Sequence, residues 1–170
     1  VWGMLKWNIH LYRTELGVLP PESSENRRVK RCLRWHQDGD RLNREVMEAN
    51  PPPRVSVEVG YYLTDITEAA RGNPRVIPGS HLKSEIEFPP DGVSDPDGAM
   101  EVCVPAGAAV IFDRRIRRAQ GRNFSDITRS ALYIGYSHRW FHPTVDMIVS
   151  HLIERADPIR RQLLGATTSN

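Results

Sequence analysis

The strongest constraint on the fold of this chain is a run in which apolar and polar residues alternate. Residues 55–63 read VSVEVGYYL, with valine at every second position up to Val59. A period of two is typical of a β-strand that buries one face and exposes the other. Residues 5–12 alternate in the same way, so both segments are predicted to be half-buried strands.

Further short strands are indicated between loops and turns. Residues 88–98 contain three prolines and two glycines and must form a loop. The polar residues 41–50 favour a helical turn or a loop, and Pro51 to Pro53 must be extended. The other predicted strands are residues 29–35, 75–81, 101–104 and 130–136, together with the apolar run 108–112, which is expected to be buried on both faces.

About seven short strands, with helix only near the end, predict an all-β fold with minor α content, either a sandwich or a jelly roll. We expect a single domain over residues 1–170, with a C-terminal helical segment at residues 145–165. A complete jelly roll has about eight strands. The sequence opens without Met inside a strand-like pattern, so we expect a fragment that lacks some N-terminal elements.

Composition restricts the partners of this chain. Hydrophobic residues make up 39% and charged residues 26%, with a net charge of +2, which is typical of a soluble globular protein and gives no electrostatic case for nucleic acid. No apolar run is long enough to span a bilayer, and we expect no signal peptide. We interpret Cys32 and Cys103 as buried thiols in a reducing compartment, which favours a cytoplasmic protein over one with a disulfide bridge.

The stretch Arg34 to Asp40, with the sequence RWHQDGD, carries the clearest chemistry. A His and an Asp separated by one residue can bind the same metal ion, as in the site of two His and one carboxylate that non-haem Fe(II) oxygenases use. Such triplets are common, and by itself the pair could equally be an exposed loop pair. The case for a metal site therefore depends on the rest of the chain.

An ordered set of motifs resembles the phytanoyl-CoA dioxygenase family of Fe(II)/2-oxoglutarate-dependent oxygenases, whose fold is the double-stranded β-helix, or cupin-like jelly roll. The resemblance extends from the first residue to about Trp140. It is carried by Trp2–Leu5 with Trp7–His10, Trp35–Asp38, Val76–His81, Pro105–Gly107 leading into Val110–Asp113, and Gly121–Asn123 leading into Thr128–Arg129.

The resemblance implies a role for individual residues. His36 and Asp38 match two iron ligands, and Arg129 matches the arginine that pairs with the distal carboxylate of 2-oxoglutarate. Gln37 matches a polar residue that reaches this co-substrate, and His81 is assigned a structural role in a turn. The implied activity uses O2, decarboxylates 2-oxoglutarate to succinate and hydroxylates a small organic substrate.

The chain departs from the family pattern at one position. The third ligand of the family is a His eleven residues before the arginine that matches Arg129, and here that residue is Arg118. Arginine has no lone pair to offer a metal and stays protonated, while His138 and His142 lie too far along the chain to replace it. Two hypotheses follow: an oxygenase that tolerates Arg118, or a catalytically inactive relative in which Arg118 forms an ion pair with Asp38.

The cluster of arginines around Arg118 admits two readings. Residues 114–118 read RRIRR, which could form a solvated face or a patch for an anionic group such as a phosphate. We favour the solvated face, although strand alternation turns at least one of these side chains inward. Without the resemblance, Arg129 would be interpreted as a surface arginine at a strand edge.

Overall fold

The computed structural model describes residues 1–39, 43, 53–83, 85–143 and 149–166. The predictions for residues 41–50 and for the proline run at 51–53 therefore lie outside the described residues, apart from Asn43 and Pro53. The same holds for residues 145–148 of the predicted helical segment.

The described residues form seven strands in two antiparallel sheets. The larger sheet has the order β1-β7-β2-β5 and the smaller sheet the order β4-β3-β6. This two-sheet arrangement is the jelly roll that the sequence predicts. The strands are β1 (Ile9–Leu19), β2 (Ser56–Tyr62), β3 (Pro74–Val76), β4 (Met100–Glu101), β5 (Ala109–Asp113), β6 (Arg118–Gln120) and β7 (Arg129–His138).

Strand β2 is interior to the larger sheet, between β5 and β7. Its valines are buried as predicted, with Val57 fully buried. Its other face is also buried, since Ser56 and Glu58 are 0% and 2% exposed. The polar face of this strand was predicted to meet solvent. It points into the molecule instead and places the carboxylate of Glu58 there.

Several strand predictions are corrected. Residues Trp2–Leu5 form a short helix, α1, so the first strand begins only at Ile9 and continues to Leu19. Residues 29–35 form no strand; Val29 is 53% exposed, and an alternating pattern cannot hold a strand there without a neighbouring strand to pair with. Strand β5 lies at the edge of its sheet, and Ile111 is 46% exposed, so this run is not buried on both faces.

Helices lie at the periphery of the sheets. Helix α2 (Ser24–Arg28) begins after Ser23, and two short helices, α3 (Ser150–Arg155) and α4 (Pro158–Leu163), lie near the C-terminal end of the described residues. Leu163 packs with Leu5, Ile9 and Val57 against one end of the larger sheet. Among the described residues, no helix is long and apolar enough to cross a lipid bilayer.

The cysteines differ from expectation in their exposure. Cys32 and Cys103 are both free, as predicted, but both are exposed rather than buried. Cys32 belongs to the segment 29–35 that leaves the sheets, and Cys103 follows the two-residue strand β4.

Candidate functional site

Main-chain hydrogen bonds join the segment of His36 to the segment of Arg118. The amide of His36 donates to the carbonyl of Arg118 at 2.9 Å, and the amide of Arg118 donates back at 3.0 Å. Two residues further on, the amide of Asp38 donates to the carbonyl of Arg114 at 3.1 Å. Residues eighty positions apart in the chain thus lie side by side, which is the convergence that the sequence predicts.

Asp38 stands in a network of four charged side chains. Its Oδ2 accepts a hydrogen bond from Nη2 of Arg118 at 2.6 Å, so the predicted ion pair is present. Its Oδ1 lies 3.6 Å from Nη1 of Arg13. Glu58 completes the network, with Oε2 lying 3.6 Å from Arg118 and 3.8 Å from Arg13. Outside these four side chains, Arg13 also forms an ion pair with the exposed Glu15, so two guanidinium groups face three carboxylates.

The Glu58 carboxyl is the most deeply buried member of this network. Its side chain is 3% exposed, against 12% for Arg118 and 18% for Asp38. Burial raises the pKa of Glu58 to about 7, because it disfavours the charged form more than the facing Arg118 stabilises it. The nearby Asp38 charge adds to the rise in this pKa.

The side chains of His36 and Gln37 make different contacts, and only that of His36 lines the main pocket. The Nδ1 of His36 donates to the carbonyl of Arg34 at 3.0 Å, since a carbonyl oxygen can only accept, and this leaves Nε2 as the ring nitrogen with a free lone pair. His36 is one of the residues that line the main pocket. Gln37 is not among the residues that line this pocket, because its amide nitrogen donates to the carbonyl of Arg115.

The main pocket lies between the two sheets. It has a volume of about 300 Å³, and both the charged network and Arg129 reach it. Its walls come from both sheets and combine apolar, aromatic and charged groups, among them Arg13, Glu58, Tyr62, Phe112, Arg118 and Tyr133. The residues of the predicted metal and co-substrate sites, apart from Asp38 and Gln37, thus face one cavity.

Arg129 is the buried cation of this pocket. It is 1% exposed, its Nη1 donates to the hydroxyl of Tyr133 at 2.9 Å, and its Nε has no hydrogen-bond partner. No carboxylate among the described residues forms an ion pair with it. Two glycines make room for the ring of Tyr133, since a Cβ at Gly17 or Gly60 would lie 3.2 Å or 3.1 Å from that ring. The reading of Arg129 as a surface arginine is therefore wrong.

The solvated face expected for residues 114–118 is also wrong. Arg114 and Arg115 are each 2% exposed. Arg115 is held by a two-pronged ion pair, with Nε and Nη2 each 2.9 Å from an oxygen of Asp113. A guanidinium can be buried when a carboxylate satisfies its fork in this way, and the charge of a lone arginine in the sequence does not reveal such a partner.

Arg13 and Glu58 were missed by the sequence analysis. Glu58 occupies an alternating strand, on the face that alternation assigned to solvent, and Arg13 lies one residue beyond the predicted strand 5–12. One signal was available: Glu58 is the only charged residue between Val55 and Leu63. A single carboxylate in a strand that is otherwise apolar or small is a reason to ask what it faces.

The site residues do not fit a mononuclear iron ion. Such a centre needs two imidazoles and one carboxylate, and within the described residues no group of three or more His, Cys, Asp or Glu side chains is placed to hold a metal. Both oxygens of Asp38 face guanidinium groups instead. Arg118 would also place a positive charge beside the dication, and it has no lone pair to donate.

Solved structures of similar fold support the architecture. A structure described as a non-heme monooxygenase, the ThoJ–Ni complex, matches with 25% identity and a TM-score of 0.59 over 85% of this chain and 51% of that chain. EctD from S. alaskensis with bound Fe matches with 19% identity and a TM-score of 0.55 over 80% of this chain and 48% of that chain. At such identity the second match supports the fold alone.

The chain spans about half the length of these solved structures. No curated protein sequence matches it. The family model described as phytanoyl-CoA dioxygenase (PhyH) matches residues 20–131, which is more than half of the 170 residues. The chain therefore belongs to the phytanoyl-CoA dioxygenase family.

Proposed function

We propose that this chain binds 2-oxoglutarate, or a dicarboxylate of similar size, at Arg129 and is a catalytically inactive member of its family. The observation that carries the proposal is the Arg118–Asp38 ion pair of 2.6 Å. It lies where the resemblance places the third iron ligand, and it engages the carboxylate that would bind the metal. The described residues therefore favour a protein that binds the dicarboxylate but does not oxidise a substrate with it.

Retention of a dicarboxylate is supported by the state of Arg129. A guanidinium that is 1% exposed and has no carboxylate partner among the described residues is costly unless a ligand supplies the missing charge. Its fork matches a carboxylate through two parallel hydrogen bonds. The hydroxyl of Tyr133 holds Nη1 in place, so the cation is oriented before the ligand arrives.

A second candidate is an active Fe(II)/2-oxoglutarate-dependent dioxygenase that hydroxylates a small organic substrate with O2. One observation favours it: His36 keeps Nε2 available because Nδ1 donates to a carbonyl, which is the usual arrangement of a metal-binding His. This candidate requires Arg118 to leave Asp38 and another donor to take its place. Besides Asp38, Glu58 is the described carboxylate that forms an ion pair with Arg118, with Oε2 3.6 Å from its guanidinium.

The two candidates are separated by measuring 2-oxoglutarate binding and turnover on the same proteins. Calorimetric titration without metal and with Fe(II) under anaerobic conditions gives the affinity, and succinate formed in air gives the turnover. We expect the wild type to bind 2-oxoglutarate equally well in both conditions and to form no succinate. Arg118→His should gain Fe(II)-dependent tightening, because it supplies an imidazole beside His36 and Asp38.

Arg129→Met tests the anchor. Charge-assisted hydrogen bonds contribute about 1.5–3 kcal/mol, so 2-oxoglutarate affinity should fall by about 10- to 100-fold. Arg28→Met is the matched control, since Arg28 is an exposed arginine outside the pocket. Fe(II)-dependent succinate formation by the wild type would favour the second candidate. Unchanged 2-oxoglutarate binding in a folded Arg129→Met protein would refute the anchor.

A further inference from the structure

We propose that Arg114 forms a second anion site, in a cavity distinct from the Arg129 pocket, which binds the carboxylate of a small organic acid. The cavity has a volume of about 310 Å³. It is lined by Tyr12, Arg13, Asp38, Gly39, Arg114 and Phe141. Of the described residues, only Arg13 lines both cavities.

Among the described residues, Arg114 is a buried cation without an ion-pair partner. It is 2% exposed, and no described residue forms a hydrogen bond with its Nε or Nη2. The one hydrogen bond that it forms within this part of the chain is a long contact of 3.5 Å from Nη1 to the main-chain carbonyl of Asp38. The neighbouring Arg115 differs, because its Nε and Nη2 donate hydrogen bonds to the two oxygens of Asp113.

The imbalance at Arg114 points to an anionic ligand. Burying a charge without a partner costs free energy, and natural proteins rarely leave such a group unsatisfied. The guanidinium carbon lies 5.4 Å from the centre of the Phe141 ring, and this contact stabilises the cation only partly. Arg114 lines the cavity, and two donor atoms of its planar group have no partner among the described residues. Two such donors match the two oxygens of a carboxylate.

The other residues that line the cavity indicate the chemistry of the part of the ligand that lies beyond its carboxylate. Phe141 and Tyr12 meet edge to face, with ring centres 5.7 Å apart, and they give the cavity an aromatic wall. Arg13 and Asp38 also line the cavity, and both already form ion pairs, Arg13 with Glu15 and Asp38 with Arg118 at 2.6 Å. A monocarboxylate with a small apolar or aromatic body fits this combination of charge and surface.

Asp38 thus lies between two anion sites. Its side chain accepts a hydrogen bond from Arg118, which lines the Arg129 pocket, and its main-chain carbonyl accepts one from Arg114. The site at Arg114 does not depend on whether 2-oxoglutarate binds at Arg129, because the two arginines line different cavities. The two proposals can therefore fail separately.

The test uses benzoate as the probe and benzamide as its uncharged counterpart. We expect benzoate to bind to the wild type in a calorimetric titration and to raise its Tm, while benzamide does neither. Arg114→Met should weaken benzoate binding by about 10- to 100-fold, which corresponds to the loss of charge-assisted hydrogen bonds. Arg129→Met should leave benzoate binding unchanged.

A second readout separates a binding role from a structural one. Without ligand, Arg114→Met should have a Tm equal to or above that of the wild type, because it removes an unpaired buried charge. A structural arginine would give a lower Tm. Arg114→Lys keeps the charge but not the fork, and it should lose most of the benzoate affinity even if the methionine variant does not fold. Benzoate binding that survives in Arg114→Lys, disappears in Arg129→Met or is matched by benzamide would overturn the proposal.

Discussion

Replacing Arg118 by methionine tests whether the four-charge network is a connected unit. The substitution keeps an unbranched side chain of moderate length but removes the cation that contacts both Asp38 and Glu58. If the network is a connected unit, removing Arg118 must destabilise the charged forms of both Asp38 and Glu58. Its size should then depend on whether Glu58 is charged, which pH controls.

The magnitude follows from burial and distance. Two unit charges about 4 Å apart interact by about 4 kcal/mol at an effective dielectric constant of about 20, and removing one partner of a buried pair typically costs about 3–5 kcal/mol. The Arg118 and Asp38 side chains are 12% and 18% exposed, and Arg13 remains 3.6 Å from Asp38. We therefore expect Arg118→Met to lower the free energy of unfolding by about 2–3 kcal/mol at pH 8.

The pH dependence has a definite sign. The pKa of Glu58 is raised from 4.5 to about 7 in the folded protein, so the unfolded chain releases this proton first and stability falls as pH rises from 4.5 through 7. Arg118 lowers the pKa of Glu58. Without Arg118 the folded pKa rises further, and more stability is lost above pH 7. The cost of the substitution should therefore be smaller at pH 5, about 1 kcal/mol.

Urea unfolding at pH 5 and pH 8 provides the measurement. Arg117→Met is the matched control, because the neighbouring Arg117 has no carboxylate partner among the described residues, and its cost should be small and equal at both pH values. The reasoning is refuted if Arg118→Met costs less than about 1 kcal/mol at pH 8, or the same at both pH values.

Three further predictions concern stability. Glu58→Gln removes a carboxyl with a raised pKa, so its free energy of unfolding relative to the wild type should increase between pH 5 and pH 8 in urea titrations; a flat difference would contradict the assigned pKa. Gly121→Ala would place a Cβ 2.3 Å from the carbonyl oxygen of Asn73 and should cost about 1–3 kcal/mol, whereas Gly3→Ala, with no atom within 4 Å of its added Cβ, should be nearly neutral in the same thermal melts. Asp157→Ala removes the side-chain cap of α4 and should cost about 1 kcal/mol, while Asp157→Asn, which retains a capping oxygen, should cost less.

The convergence of His36, Asp38 and Arg118 could be predicted from the sequence because the order and spacing of motifs match a family in which these positions meet. The ion pair followed from charge complementarity once the positions were placed together. Both steps use information that is local to the motifs. They do not depend on how the rest of the sheet packs.

The charged faces could not be predicted in the same way. Alternation marks the two faces of a strand but does not say whether the polar face meets water or a cavity, and Glu58 meets a cavity. Burial of Arg115 depends on Asp113, two residues away, whose carboxylate happens to face its fork. Residues 29–35 alternate weakly but have no strand beside them, so tertiary pairing decides their structure.

The main-chain pairing of His36 with Arg118 has an evolutionary consequence. Main-chain hydrogen bonds do not depend on side-chain identity, so this pairing presents to Asp38 whatever side chain stands at position 118. Codons for arginine and histidine can differ by a single base. The exchange between an internal cation and a metal-binding imidazole could therefore occur in one mutational step, with the backbone already in position for either outcome.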